Sequence, residues 1–257
     1  MLVTSMKTTL IIPALDEEAG LDRVLSELEA DPVASSLIGE IIVGDNGSRD
    51  STVAVASRHG ARVATVATRG YGAACAGALA LLGDDCEIVV FMDADASDDP
   101  SELSRLIDPI VRGEADLVIG SRTLGIVESG ALTPQQRLGN RLAVFLIRQL
   151  FGWTYTDLGP FRAIRRSLLD RINMQDRAYG WTVEMQVRAV ELDARIAETP
   201  VSYRRRLGRS KISGTVMGVM KAGWCILTTI GRCWWRGSIA PVPPEAEPAS
   251  ASPTSSR

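Results

Sequence analysis

Short apolar runs alternate with helix-like segments along this chain, and no other feature limits its possible folds as strongly. Short runs rich in Val, Ile and Leu predict strands at Thr9–Leu15, Glu40–Val43, Arg62–Val66, Glu87–Met92, Leu117–Ile119 and Ile196–Tyr203. Apolar residues at three- and four-residue spacing predict helices at Ala19–Glu29, Ser51–His59, Ala73–Leu82, Glu102–Val111, Gln135–Phe151, Trp181–Leu192 and Thr215–Trp235. The alternation predicts an α/β fold with a mostly parallel, Rossmann-like sheet flanked by helices.

Composition excludes several classes of protein. The chain has 257 residues, of which 46% are hydrophobic and 23% are charged, and this is globular composition with enough apolar surface for a core. A net charge of −3 gives no overall basic field for nucleic acid. His59 is the only histidine, and the four cysteines have no CxxC spacing. A metal site would therefore depend on carboxylates, which favours Mg²⁺ or Mn²⁺.

The segments that follow the predicted strands are polar, glycine-rich or charged. They are Pro13–Glu18, Asp45–Ser48, Arg69–Gly72, Asp93–Asp98 and Gly120–Arg122. Ligands of open parallel sheets bind beyond the carboxyl ends of the strands. We therefore expect a binding site at this edge of the sheet.

Asp93 and Asp95 end a strongly apolar strand, which is the sharpest chemical signal in the sequence. Two carboxylates two residues apart can both approach one hard cation, and Mg²⁺ prefers one or two carboxylates together with substrate phosphate oxygens. Asp98 and Asp99 precede Pro100, and this pattern favours the start of a helix instead.

Three further segments each allow a functional and a structural interpretation. The segment Asp45–Asp50 can pair with a nucleotide base or form an ordinary turn. The Arg69–Ala74 segment can open a helix toward an anion or pack that helix tightly against a neighbour. The Tyr203–Lys211 segment can clamp a diphosphate or lie in solvent as a basic loop.

Taken together, these segments resemble inverting glycosyltransferase family 2 with the GT-A fold, closest to the dolichyl- or polyprenyl-phosphate mannose synthase-like branch. The resemblance is carried in order by IIPALDEE, EIIVGDNGSRDST, RGYGAACAGA, VVFMDADASDDP, DLVIGSR, TDLGPFRAIRR, YGWTVEMQ and PVSYRRRLGRSKISGT. These pieces span roughly residues 8–216, so the resemblance covers most of the chain.

The resemblance implies a role for each matching residue. Asp93 and Asp95 match the family's metal motif. The donor-binding residues it implies are Pro13, Leu15 and Glu17 for the nucleoside, Asp45 or Asn46 for the base, and Arg69, Arg122, Arg204, Arg206 and Lys211 for the phosphates. The family often has two carboxylates where Asp45 and Asn46 stand, so the base is left open, with GDP-mannose and UDP-glucose as donor types.

The implied reaction is transfer of a hexose to a lipid-linked phosphate or another small acceptor, with inversion. A divalent cation and basic side chains would stabilise the departing nucleoside diphosphate. An acceptor phosphate needs no strong base, whereas a hydroxyl acceptor needs a carboxylate. Glu184 and Asp157 are the candidates for that base. The alternatives are a non-catalytic nucleotide-sugar-binding protein and a sugar nucleotidyltransferase.

Organisation and location are also expectations of the sequence. We expect a GT-A domain over residues 1–236, with a nucleotide-sugar half at about 8–125 and an acceptor half at about 126–236, and a disordered tail at 237–257. Residues 1–15 do not resemble a secretory signal, and we expect a cytoplasmic protein with peripheral contact at the inner membrane face. The amphipathic helices at 135–151 and 215–236 suit a membrane interface, packing on the sheet or a homodimer.

Overall fold

A seven-stranded sheet forms the centre of the protein. The structure is a computed structural model that describes residues 6–208 and 216–237. The strands are β1 (Thr8–Ala14), β2 (Glu40–Asp45), β3 (Arg62–Thr65), β4 (Ile88–Phe91), β5 (Leu117–Ser121), β6 (Arg162–Arg165) and β7 (Ile196–Pro200). Their order is β3-β2-β1-β4-β6-β5-β7, and all neighbours are parallel except that β6 is antiparallel to β4 and β5.

Helices cover both faces of the sheet. They are α1 (Glu18–Ala30), α2 (Pro32–Leu37), α3 (Thr52–Arg58), α4 (Tyr71–Leu79), α5 (Leu103–Val111), α6 (Pro134–Phe151), α7 (Arg166–Ile172), α8 (Trp181–Glu191) and α9 (Val216–Gly237). A 3₁₀ turn at Pro100–Glu102 precedes α5. Within residues 6–208 and 216–237, no helix combines the length and apolarity that crossing a bilayer requires.

Two apolar cores lie on opposite faces of the sheet, because successive strand residues point to opposite sides. Leu10 and Ile12 of β1 join α1, α2, α3 and α5 in one core. Ile11 joins α4, α6, α7, α8 and α9 in the other. The predicted α/β architecture is therefore confirmed.

The pair β6–α7 is the main element that the sequence patterns do not predict. Strand β6 has four residues, and its first, Arg162, is fully buried. The Arg162 guanidinium donates to the carbonyl oxygens of Leu158, Gly159 and Thr182, which replace its lost hydration. An arginine-rich segment this short carries no strand periodicity, so only its neighbours β4 and β5 make it a strand.

The order of the strands creates a crevice at the edge of the sheet where β1, β2 and β4 end. The chain runs from β1 to β2 and β3 on one side of β1 and then crosses to β4 on the other side. In open α/β sheets the ligand crevice lies at such a point, beyond the carboxyl ends of the strands.

Candidate active site

A pocket of about 370 Å³ opens at this crevice. Its lining comes from the end of β1, from the segments that follow β1, β2, β3 and β4, including the start of α4, and from two later loops. The lining residues are Pro13, Ala14, Leu15, Glu17, Asn46, Arg69, Gly70, Tyr71, Ala74, Asp93, Ala94, Asp95, Tyr179 and Arg206. The structure thus brings to one pocket most of the donor-site candidates: Pro13, Leu15, Glu17, Asn46, Arg69, Asp93, Asp95 and Arg206.

A tight turn after β4 directs two carboxylates to the pocket. The Tyr71 hydroxyl donates to Asp93 Oδ1 at 3.1 Å, and the Ser97 amide donates to Asp95 Oδ1 at 3.0 Å. Ala96 has the left-handed φ of 61°, which reverses the chain directly after Asp95. The backbone, and not the side chains alone, therefore holds the acidic pair at this edge.

The electrostatics of the acidic pair fit a cation. Burial and the charge of Asp95 raise the pKa of Asp93 to about 7. Burial, with the charges of Asp93 and Asp95, also raises the pKa of Asp98 well above its ordinary range. Neighbouring carboxylates that raise each other's pKa repel each other unless positive charge lies between them. Asp93 and Asp95 are thus the residues that would hold a divalent cation.

The side chains that would hold a cation here would share it with a bound ligand. In the part of the chain that the structure describes, no three His, Cys, Asp or Glu side chains are grouped to hold a metal. Two carboxylates leave the other coordination positions to phosphate oxygens and water, and this is the pattern typical of Mg²⁺ with phosphate substrates.

Arg206 supplies positive charge beside the acidic pair. Its guanidinium lies 3.3 Å from Asp95 Oδ2 and donates to Glu17 Oε1 at 2.8 Å. The backbone of the same segment is tied to the acidic turn, because the Leu207 amide donates to the Asp95 carbonyl and the Arg204 amide to the Ser97 carbonyl. Residues 204–207 are therefore packed on the turn that carries the carboxylates.

Asp45 and Asn46 hold loops in place. Asp45 accepts hydrogen bonds from the amides of Gly47 and Ser48, which makes the turn that the structural interpretation predicts. The Asn46 side chain donates to the Thr68 carbonyl at 2.6 Å and accepts from the Gly70 amide at 2.7 Å. Asn46 lines the pocket, whereas Asp45 does not.

The glycines before α4 permit close packing. A Cβ atom on Gly70 would lie 2.0 Å from the Arg177 carbonyl oxygen, and one on Gly72 would lie 2.4 Å from that of Asp176. The amides of Gly72 and Ala73 donate to the carbonyls of Ala178 and Arg177. Since both amides are occupied, this helix start does not offer them to an anion, and the packing interpretation describes it.

Arg122 and Asp157 form a buried ion pair that does not line the pocket. Arg122 Nε and Nη2 each donate to an Asp157 carboxylate oxygen at 2.8 Å, and Asp157 is fully buried. Burial lowers the pKa of Arg122, but the hydrogen bonds to Asp157 outweigh this and raise it. The guanidinium also lies over the Tyr203 ring, 5.1 Å from its centre. Asp157 is thus committed to Arg122.

Glu184 is not brought to the pocket either. Its Oε2 accepts from the amides of Gln175 and Asp176 at 3.0 and 2.7 Å. The side chain borders a separate, very small cavity with Arg188, Arg232 and Cys233. The Glu184 carboxylate thus braces the loop between α7 and α8 and does not line the pocket.

The remaining candidates have structural partners or lie outside the described residues. Arg204 pairs with Glu27 and Asp99 rather than lining the pocket. Asp99 caps the 3₁₀ turn through the Ser101 amide, as its position before Pro100 predicts. Asp98 does not, because it is buried behind the acidic pair and accepts from the Asp93 amide. Lys211 and the predicted tail lie outside the described residues, apart from Gly237, which ends α9.

Tyr71 and Tyr179 also line the pocket, and Tyr71 is not among the predicted site residues. Tyr71 sits between the glycines of the Arg69–Gly72 segment, and this position was the available signal for it. Tyr179 reaches the pocket because its loop packs against the start of α4, a contact between segments far apart in the chain.

Comparison with known proteins is consistent with this geometry. Residues 9–172 match the family model described as Glycosyl transferase family 2. The chain belongs to this family. It is therefore a glycosyltransferase, and the resemblance seen in its motifs is confirmed.

Relatives and solved structures agree on fold and class. An uncharacterized glycosyltransferase of Mycobacterium tuberculosis is 36% identical over 82% of this chain and 91% of its own length. Polyprenol monophosphomannose synthase of Mycolicibacterium smegmatis is 33% identical over 82% of this chain and 83% of its own length. Glucosyl-3-phosphoglycerate synthase of M. tuberculosis, solved with Mn²⁺, UDP and glucosyl-3-phosphoglycerate, superposes with a TM-score of 0.69 at 26% identity, over 89% of this chain and 80% of that one. The GT-A fold is thus confirmed for this glycosyltransferase.

Proposed function

We propose that this glycosyltransferase transfers a hexose from a nucleoside diphosphate sugar to a polyprenyl phosphate or a similar lipid-linked phosphate, with inversion at the anomeric carbon. The observation that carries the proposal is the acidic pair Asp93 and Asp95, held in a pocket that Arg206 also lines. The relative named polyprenol monophosphomannose synthase and the UDP-bound structure support the two substrate classes.

The donor diphosphate would lie between the acidic pair and the basic side chains of the pocket. Asp93 and Asp95 would hold Mg²⁺ or Mn²⁺, which when bound supplies positive charge against the departing diphosphate. Arg69 and Arg206 line the same pocket and would donate hydrogen bonds to phosphate oxygens. Charge-assisted contacts of this kind are worth most where charge develops during the reaction.

The nucleoside would occupy the β1 side of the pocket. Pro13, Ala14 and Leu15 offer apolar surface there. Glu17 lines the same pocket and accepts a hydrogen bond from Arg206. The Asn46 side chain is already bonded to the loop after β3, so it would shape this wall more than it would read a base. Both UDP- and GDP-sugars suit such a wall.

Both candidate bases, Asp157 and Glu184, are bonded to other groups of the chain, and this favours a phosphate acceptor over a hydroxyl. Asp157 is bonded to Arg122, and Glu184 is bonded to two backbone amides away from the pocket. A hydroxyl acceptor would require a carboxylate to remove its proton, whereas a phosphate already carries the negative charge that attacks. The chain's own residues would then orient the acceptor without a proton transfer.

The proposal is tested by measuring sugar transfer to polyprenyl phosphate from UDP-glucose and GDP-mannose with Mn²⁺. Asp95→Asn is expected to lower the transfer rate by about 100-fold or more, the range seen when one preorganised electrostatic contact is lost. Asp99→Asn is the matched control, because it removes a carboxylate from the same loop but outside the pocket. Transfer that persists in EDTA, or an Asp95→Asn variant as active as the native chain, would contradict the proposal.

A further inference from the structure

Two neighbouring helices on one side of the protein expose apolar side chains to solvent. On α6, Leu138, Leu142 and Phe145 are 68%, 45% and 55% exposed and lie on one face at helical spacing. On α9, Trp224 and Trp235 are 70% and 66% exposed and lie three helical turns apart, so they also share a face. We call the outward faces of these two helices, with these five side chains and the exposed residues beside them, the α6–α9 surface.

Both helices turn these faces outward. Helix α6 packs against α9, and both pack against α8, whose side chains are mostly buried. Ala143 and Ile147 of α6, and Ile230 and Cys233 of α9, are buried in the core that α8 shares. On each helix, the exposed apolar residues lie on the side that faces away from this core.

The charges on these helices have one sign. Neither α6 nor α9 contains Asp or Glu, whereas together they contain six basic residues: Arg137, Arg141, Arg148, Lys221, Arg232 and Arg236, of which Arg232 pairs with Asp176 in the loop before α8. Arg137, Arg141 and Arg148 are exposed, and among the described residues none of the three pairs with a carboxylate. On the helix they form a stripe next to Leu138, Leu142 and Phe145.

We propose that the α6–α9 surface docks on an anionic lipid membrane. Exposed tryptophan, leucine and phenylalanine beside arginine is the chemistry of helices that lie in a membrane interface. A second copy of this chain is the less favourable occupant, because a two-fold interface would set the arginines of one copy against those of the other. Charge complementarity therefore selects a surface of anionic headgroups.

The α6–α9 surface is joined to the pocket through one loop. Thr229 of α9 donates to Asp176 Oδ2 at 2.9 Å, and Asp176 Oδ1 accepts from the amides of Ala178 and Gly180. Tyr179, between them, lines the pocket. If the acceptor is a lipid phosphate, as the proposed function holds, docking would place the pocket beside the bilayer that contains it.

The test is sedimentation of the full chain with vesicles of phosphatidylcholine alone or with about one-third phosphatidylglycerol. We expect binding to the anionic vesicles only, weakened at least about tenfold in Arg141→Glu/Arg148→Glu and in Trp224→Ser/Trp235→Ser. The control variants Arg58→Glu/Arg112→Glu and Val33→Ser change exposed residues on the other helical layer, and we expect them to bind as the native chain does.

Binding that is equal in the native chain and the α6–α9 variants, or absent with both vesicles, would overturn the proposal. A dimer detected by light scattering that Trp224→Ser/Trp235→Ser converts to a monomer, without vesicle binding, would identify a second copy as the occupant and also overturn it. Thermal stabilisation by a nucleotide sugar with Mn²⁺ is measured on the same variants. If the nucleotide sugar does not raise the unfolding temperature of the native chain, that result would count against the proposed function and not against docking.

Discussion

The pocket and the α6–α9 surface use charge in opposite ways. In the pocket, Asp95 and Glu17 both face Arg206, and Asp93 accepts from Tyr71, so the acidic groups have partners within the chain. On the α6–α9 surface, exposed arginines stand beside apolar side chains without a carboxylate on either helix. Internal pairing keeps the pocket folded before a ligand arrives, whereas unopposed charge is available to a partner outside the chain.

The largest expected effect comes from breaking a buried pair next to the site. Asp157→Asn leaves the Arg122 guanidinium without its carboxylate, and removing one member of a buried pair costs about 3–5 kcal/mol. Urea unfolding followed by circular dichroism measures the loss. On the α6–α9 surface, Arg148→Gln should change the free energy of unfolding by less than about 0.5 kcal/mol. Similar losses in both variants would remove the contrast between the two regions.

A smaller effect is expected when the Arg206 guanidinium beside Asp95 is removed. Arg206→Gln leaves Asp95 and Glu17 without that guanidinium, so Mn²⁺ should bind the nucleotide-free protein several-fold more tightly. Transfer from the donor sugar should fall by about tenfold, because one charged contact to the diphosphate is lost.

Isothermal titration with Mn²⁺ and a transfer assay check the two parts of this expectation. Arg204→Gln is the matched control, since it lies in the same segment but pairs with Glu27 and Asp99. Unchanged or weaker Mn²⁺ binding in Arg206→Gln would show that the guanidinium does not weaken the binding of Mn²⁺.

The smallest expected effect lies on the opposite helical layer, where surface charges are also paired. Partial burial lowers the pKa of His59, but hydrogen bonds to Asp22 and Glu29 outweigh it, so the pKa is raised. A raised pKa stabilises the fold below the unfolded-state value, and this contribution is lost as the pH rises through the folded-state pKa.

The native chain should therefore exceed His59→Gln in stability by less than about 1 kcal/mol in mild acid, and the difference should shrink above neutral pH. Thermal unfolding of both proteins across that range measures it, and His59 is the only histidine that can contribute. A difference that grows with pH would contradict the sign of the shift.

Local patterns in the sequence predicted the strands and helices whose apolar residues recur at regular spacing. The apolar runs of β1, β2 and β4 and the polar segments after them placed Asp93, Asp95, Leu15 and Asn46 at one edge. This worked because the carboxyl ends of parallel strands meet there, so strand period and connection rules are enough. The basic segment also carried a local signal, and Arg206 lies in the pocket.

Only the tertiary structure decided which polar groups are already engaged. Asp157 meets Arg122, Glu184 meets the amides of residues 175 and 176, and Arg206 meets Glu17 from the far end of the chain. Strand β6 is likewise made by its neighbours β4 and β5. Sequence alone marks such residues as charged or polar, because a pairing between distant segments depends on how the chain packs and leaves no local period.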